Sequence, residues 1–287
     1  MNQILVTGSL HYDILIAAHH RPEKGETVIG SGCAYKFGGK GGNQAISAAR
    51  AGAAVRFAGA VGADSQGEFL LAELRRNGVD TQHVAVEQGV PSGMSVAIQD
   101  ASGDYGAVVV SSANNHISPL IFSQDALWQQ VSMLVLQNEV PEAVNLAAAR
   151  AARQRGIPVC INAAPARLLS GELLDCLDVL VVNAVEARDM CGIVVDSLAD
   201  AMRAAVSLTE HCRAVVVTAG EHGVAWCEAG QAAGSLAAIK VELVSTHGAG
   251  DCFMGMLCAS LLRGETLAES LTRANQAAAE HVSRPAV

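Results

Sequence analysis

Basic residues are few. Lys and Arg together number 19 against 28 Asp and Glu, a formal net charge of −9. Binding a nucleic-acid backbone requires clustered cations, so this balance excludes a nucleic-acid partner. A polyphosphate ligand would have to be met by local donors and a metal ion. Aromatic residues are scarcer still, 3% of a chain that is 51% hydrophobic. The apolar mass is therefore Ala, Val and Leu, which suits a compact, well-buried α/β protein. No uninterrupted apolar run reaches the roughly 18 residues that a membrane helix needs, which excludes a spanning helix. The cysteines, at 33, 160, 176, 191, 212, 227, 252 and 258, include no C-x-x-C pair. No zinc or redox framework is expected from them; reduced, mostly core thiols in the cytoplasm are. Met1–Gly8 carries no basic leader or cleavage site, and the expectation is a first buried strand rather than a signal peptide. Missing too are a Walker A loop, a G-x-G-x-x-G fingerprint, internal repeats, low-complexity segments and a domain linker.

What is present is an alternation. At 287 residues the chain can bury one large core, as a single domain or a domain with a small accessory unit. Strands are expected at Ile4–Thr7, Val55–Ala60, Met133–Gln137, Val159–Asn162, Val179–Asn183, Ala214–Thr218 and Ala238–Val244. Helical spacing is expected over Asn43–Ala51, near Ser123–Gln130, from Pro141 to Gly156, through Leu168–Cys176, over Val185–Cys191, Ser197–His211 and Cys252–Leu262. Ser65-x-x-Glu68 and Thr266-x-x-Glu269 read as capping boxes opening two more helices, to Asn77 and through Val282. Such alternation predicts a doubly wound sheet with helices on both faces. Two stretches break it. Leu10–Phe37 and Met94–Ser112 have short β-like pieces, the second with a hairpin signal at Asp100–Asp104. They are expected either to pair into a small separate sheet or to add ordinary strands to the main one.

Two glycine-rich stretches carry the functional reading. Val244–Phe253 runs Val-Ser-Thr-His-Gly-Ala-Gly-Asp-Cys-Phe into an apolar helix. Glycines permit close backbone approach, and unpartnered N–H groups at a helix start make an anion site. Asp251 inside that site would repel a bound phosphate unless it serves as a base toward an attacking hydroxyl; the alternative is a first-turn residue favoured by the helix dipole. Phe37–Ala45 holds four glycines in five positions around Lys40, with Asn43 following. That backbone suits a ligand lying on the main chain, with Lys40 and Asn43 as donors to hydroxyls. Doubly wound folds bind ligands beyond the carboxyl ends of their strands. Asp13, Glu139, Asn183 with Glu186, Thr218-Ala219-Gly220 and Asp251 all fall there, although each alone also reads as a turn or cap residue.

Gly38-Gly39-Lys40-Gly41-x-Asn43-Gln44-Ala45 and Gly248-Ala249-Gly250-Asp251 resemble the two signatures of the PfkB carbohydrate kinases, the first in its ribokinase-like form. Gly62-x-Asp64-x-x-Gly67-Glu68, Asn162-x-Ala164-Pro165-Ala166-Arg167 and Asn183-x-x-Glu186 extend the resemblance to nearly the whole chain. It implies a ribokinase-like doubly wound α/β domain over residues 1–287. It also implies a small β lid, inserted from about 10–37 and 92–112, that often forms a homodimer interface. The implied reaction is transfer of the ATP γ-phosphate to a sugar hydroxyl, with Mg2+. By resemblance Asp251 is the base, and Gly248, Ala249 and Gly250 form the anion hole. His11, Asp13, Gly39, Lys40, Asn43 and Glu139 match sugar-contacting positions. Asn183, Thr218, Gly220 and Asn275 match nucleotide positions, and Glu186 belongs to the element linked to magnesium.

Three departures shape the expectations. Ser245-Thr246-His247 stands where relatives carry a carboxylate and a hydroxyl residue before the anion hole. His11 stands where a sugar-contacting Asn is typical. The sequence stops at Arg284–Val287, where relatives continue into a further loop and helix. The first and third imply a weak monovalent-cation site and a less enclosed adenine pocket; the second allows a pentose other than ribose. The expected function is a cytoplasmic ATP-dependent kinase of a ribose-like pentose. A nucleoside kinase on the same fold and a catalytically weak sugar-binding regulatory protein are the alternatives.

Overall fold

The computed structural model describes residues 2–102 and 104–283. Among them the strands form two sheets. The larger takes β1 (Gln3–Thr7), β4 (Ala54–Gly62), β5 (Val79–Glu87), β8 (Val131–Gln137), β9 (Val159–Asn162), β10 (Val179–Asn183) and β11 (Ala214–Thr218) in parallel. An antiparallel edge of β12 (Gly223–Glu228) and β13 (Gly234–Ala237) completes it. Its order is β13-β12-β11-β10-β9-β8-β1-β4-β5. The central strands β8, β10 and β11 are largely continuous apolar runs because both faces are covered. Alternate residues enter opposite cores: Leu5, Leu134, Leu136, Val182 and Val215 pack on one face, Ile4, Val6, Val135, Val181 and Val216 on the other. The first face is covered by α4 (Glu142–Gln154) and α7 (Leu198–Leu208). The second is covered by α1 (Lys40–Arg50), α2 (Ser65–Arg76), α8 (Ala249–Leu262) and α9 (Leu267–Val282). Three short helices complete the set, α3 (Asp125–Trp128), α5 (Gly171–Leu174) and α6 (Ala184–Cys191).

The two irregular stretches do form a separate sheet, ordered β3-β2-β6-β7. Its strands are β2 (His11–Ala17), β3 (Gly32–Gly38), β6 (Met94–Gln99) and β7 (Tyr105–Val110). The hairpin between β6 and β7 is held by Asp100, whose Oδ1 accepts from the backbone N–H groups of Ser102 and Asp104. Gly103, part of that hairpin signal, lies outside the described residues, as do Arg284–Val287.

Several sequence expectations fail locally. Ala238–Val244 is not a strand. Its alternating Ile239, Val241 and Leu243 are exposed, and a period of two without a neighbouring strand makes no ladder. Ser65 does not cap α2; Asp64 does, accepting from the Gly67 N–H at 2.7 Å. The same carboxylate accepts from both N–H and Oγ of Ser92, which ties the entry of β6 to the end of β4. The helix expected over Leu168–Cys176 shrinks to α5, capped by Ser170. The one near Ser123–Gln130 shrinks to a 3-10 turn, Pro119–Ser123, and α3. Thr266–Glu269 is a capping box as expected. Asn183 and Glu186, whose alternative reading was as turn or cap residues, form a second capping box.

Candidate active site

The first turns of α1 and α8 meet over the carboxyl ends of β1 and β8. The glycine-rich stretch forms the cap and first turn of α1. Gly39 is its N-cap at φ 90°, whereas Gly41 and Gly42 are buried inside the first turn. A Cβ on Gly41 would lie 2.6 Å from the Ser9 nitrogen and 2.7 Å from the Gly8 carbon. The helix therefore rests directly on the β1–β2 connection, which only a hydrogen side chain permits. Farther along, a Cβ on Gly255 of α8 would lie 2.4 Å from the Ser47 Cβ of α1. Ser47 also donates its hydroxyl to the Cys252 carbonyl. These contacts set how closely the two helices approach.

That approach places Asp251 against α1. Gly248, at φ 76°, is the N-cap of α8, and Asp251 sits in its first turn, 7% exposed. The N–H groups of that turn have no carbonyl to reach within the helix. Asp251 Oδ1 accepts from Gln44 Nε2 at 3.0 Å, and Asn43 Nδ2 stands 3.5 Å from Oδ2. Burial raises the Asp251 carboxyl above its ordinary range; the Lys40 ammonium and the Gln44 amide pull it back and Glu139 pushes it further up. Gln44 is itself held, its Oε1 accepting from Gln137 Nε2 at 2.9 Å. Its Nε2 also reaches Asn162 Oδ1 at 3.2 Å. Gln137 and this amide relay were missed by sequence reasoning. The available signal was a run of polar residues, Gln137-Asn138-Glu139, closing an otherwise apolar strand.

Glu139 meets the other end of α1's first turn. Its Oε2 accepts from the Ser9 hydroxyl and from the Lys40 backbone N–H at 2.8 Å. His11 Nδ1 lies 3.9 Å from the same oxygen. His11 is 3% exposed, and its Nε2 has no protein partner among the described residues. On β2, Asp13 accepts from the Ser95 hydroxyl at 2.6 Å and lies across Gly38, where a Cβ would come within 2.0 Å of Oδ2. Burial raises the Asp13 carboxyl; Ser95, His11 and His247 oppose it. Of the expected sugar-side residues, Asn43, Lys40 and Glu139 lie about Asp251, His11 and Asp13 gather on the Glu139 side, and Gly39 caps α1 between them.

The expected nucleotide-side residues separate into two places. Asn183 and Glu186 are bound to each other. The Asn183 N–H and side-chain amide donate to the two Glu186 oxygens, and the Glu186 N–H donates back to Asn183 Oδ1. Burial raises the Glu186 carboxyl, and the bond from the Asn183 N–H and the Lys40 ammonium oppose that, so Lys40 lies within electrostatic reach of both Glu186 and Asp251. Thr218, paired with Asn183 across β10 and β11, donates its hydroxyl to the Val182 carbonyl. Gly220, at φ 54°, follows at the turn into β12. Asn275 stands apart, on α9, donating to the Ala237 carbonyl of β13 at 3.0 Å. It lines a groove of about 520 Å3 with Leu236, Ile239, Met256 and Thr272. Met256 lies five residues beyond Asp251 on α8, about 7.5 Å along the axis, so one helix connects groove and carboxylate. The assembly can take a proton at Asp251, present N–H groups to an anion at the α8 start, and hold hydroxyls from the α1 side.

The likenesses to known proteins agree with this geometry. The profile described as pfkB family carbohydrate kinase matches residues 1–287. The ribokinase of Bacillus subtilis is 35% identical over 280 residues, covering 97% of this chain and 92% of that protein. The ribokinase of Haemophilus influenzae is 32% identical over 283 residues, covering 98% and 92%. The structure of Arabidopsis thaliana ribokinase complexed with ribose and ATP superposes with a TM-score of 0.93 at 27% identity, covering 100% of this chain and 95% of that one. With a profile match over its whole length and relatives above 30% identity, the chain belongs to the pfkB family of carbohydrate kinases.

Proposed function

We propose that this protein transfers the γ-phosphoryl group of ATP to a hydroxyl of ribose or a closely related pentose. The observation that carries the reading is Asp251, a buried carboxylate held by Gln44 at the amino end of α8. It faces a cradle built from α1, Asp13 and Glu139. A sugar hydroxyl seated there loses its proton to Asp251 as its oxygen bonds to the γ-phosphorus. The bond from that phosphorus to the bridging oxygen breaks, and ADP leaves with the electron pair. The transition state is stabilised by placement and charge rather than by a covalent intermediate. Gly248, Ala249 and Gly250 shape the anion hole: the Gly248 and Gly250 N–H groups and the helix end meet the migrating phosphoryl oxygens, while the Ala249 N–H is held by the Thr246 carbonyl. Lys40, within electrostatic reach of both Asp251 and Glu186, adds a positive charge.

His11, Asp13, Gly39, Lys40, Asn43 and Glu139 bind the sugar in this reading. Asn183, Thr218 and Gly220 line the nucleotide path to Asn275 and its groove. Magnesium, when bound with ATP, neutralises phosphate charge and orients the phosphate chain. Each Glu186 oxygen accepts one bond from Asn183 and keeps a further lone pair, so Glu186 would hold that ion or a water on it. A monovalent cation fits less well. The position that would supply a charge is Ser245, whose Oγ faces the His247 N–H at 3.3 Å, and His247 adds no oxygen side chain.

A homodimer formed through the second sheet is part of the proposal. Leu15, Tyr35, Val108 and Val109 of that sheet are exposed, more apolar surface than a small sheet needs to present to water. A cytoplasmic location completes the reading. Among the described residues no helix is long and apolar enough to cross a membrane, and no disulfide joins the cysteines. Turnover with Mg-ATP against a panel of pentoses, hexoses and nucleosides tests the function. Pentose phosphorylation is expected. Turnover of nucleosides alone replaces the sugar reading, and saturable sugar binding without turnover favours a regulatory protein.

A further inference from the structure

We infer that His281 is a positioning residue for the anion hole, acting through the peptide that joins His247 to Gly248. The inference rests on the proposed phosphoryl transfer. His281 lies in the last turn of α9, and its Nε2 is 2.8 Å from the His247 carbonyl oxygen. A carbonyl oxygen only accepts, so Nε2 carries the proton and donates it. The same imidazole packs against the α8 N-cap: a Cβ on Gly248 would lie 3.3 Å from Nε2. One residue on, the Val282 carbonyl accepts from the N–H groups of Val244 at 2.8 Å and Ser245 at 3.2 Å. The end of α9 therefore grips residues 244–247 at both ends.

The consequence follows from peptide geometry. The His247 carbonyl and the Gly248 N–H belong to one planar trans unit and point in opposite directions. Drawing the carbonyl toward His281 fixes the Gly248 N–H on the side away from α9. The surrounding bonds leave that peptide little other freedom. The His247 N–H is directed at Ser245 Oγ, and the Ala249 N–H donates to the Thr246 carbonyl at 3.2 Å. The His247 imidazole meanwhile stands within electrostatic reach of Asp13 in the sugar cradle. His281 thus holds by hydrogen bonding a loop whose own side chains offer no charged group for a cation to hold.

The test compares wild type with His281→Leu, which keeps bulk and loses the donor, and His281→Gln, which places an amide Nε2 near the lost nitrogen. His281 is exposed, so all three fold, and melting temperatures serve as the check. The expected result is a fall in kcat of about ten- to a hundredfold in the Leu variant, smaller than outright loss of an oxyanion donor. The sugar KM stays within about twofold, and the Gln variant recovers most of kcat. A Leu variant with wild-type kcat, or a Gln variant no better than Leu, overturns the inference while wild-type turnover keeps the functional reading intact. A wild type that phosphorylates no sugar overturns both.

Discussion

Asp251 carries opposite demands. As a base it must be ionised, yet burial raises its pKa above the ordinary 3.8. Asp251→Asn keeps shape and removes basicity, so kcat should fall about 10²–10⁴-fold while sugar affinity is largely kept; steady-state kinetics with calorimetric binding checks this. Stability should move the other way. A carboxyl whose folded pKa is raised stabilises the fold fully only below its unfolded value and loses that contribution as pH rises through the folded value. At neutral pH the wild type therefore carries a penalty that the Asn variant lacks. Its melting temperature should exceed the wild type's at pH 7, with the gap closing toward pH 3.8; equal melting curves at pH 7 would contradict the assigned burial cost. Gln44 supplies a further check. Its amide lowers the Asp251 pKa, so in Gln44→Leu the acid limb of the kcat profile should shift to higher pH. Glu139 was legible in the sequence because it follows the end of β8, and Asp251 because a glycine-rich turn precedes it at the start of an apolar helix; Asp13 proved to lie within β2 rather than beyond a strand. The Gln137–Gln44 bond was not, because it joins side chains 93 positions apart, and no local pattern encodes such a meeting.

At the scale of elements, α1 and α8 form the working unit. Gly255→Ala would place a methyl group within 2.4 Å of Ser47 Cβ and 2.6 Å of the Ala48 nitrogen. Overpacking of this kind costs about 1–3 kcal/mol. Here it would also push Asp251 away from Asn43 and Gln44, so denaturant midpoint and kcat should drop together; an active, fully stable variant would show that the helix spacing is not what sets the site. The loop before α8 bears on monovalent cations. Potassium, compared with sodium and a bulky organic cation at equal ionic strength, should raise kcat/KM by less than about tenfold, or roughly 1.4 kcal/mol of barrier. Greater activation would mean that backbone carbonyls alone build a cation site. Element prediction succeeded where strands are buried on both faces, as in β10 and β11, because continuous Val-rich runs have few other solutions. It failed at the edges. β5 mixes Asp80, Gln82 and His83 with its valines beside a register shift in β4, and β12 and β13 are short strands of an antiparallel edge. The exposed segment before α8 has strand periodicity with no neighbour to pair with.

For the molecule as a whole, the alternation of strands and helices conveyed the doubly wound architecture, and two glycine signatures conveyed the family. What they did not convey is how the second sheet is used. If it joins two copies, light scattering at micromolar concentration should give twice the chain mass, and Leu15→Lys with Val108→Lys should give the monomer; an unchanged mass in the double variant would move the interface elsewhere. The central claim is that this acidic, metal-assisted cradle moves phosphate from ATP to a pentose hydroxyl through Asp251. Phosphorus NMR of the purified protein with Mg-ATP and D-ribose follows every phosphate at once. The account predicts one phosphomonoester appearing for each ADP formed, with wild type and not with Asp251→Asn; ATP consumed only to ADP and inorganic phosphate, or equal ester formation by both proteins, would contradict it.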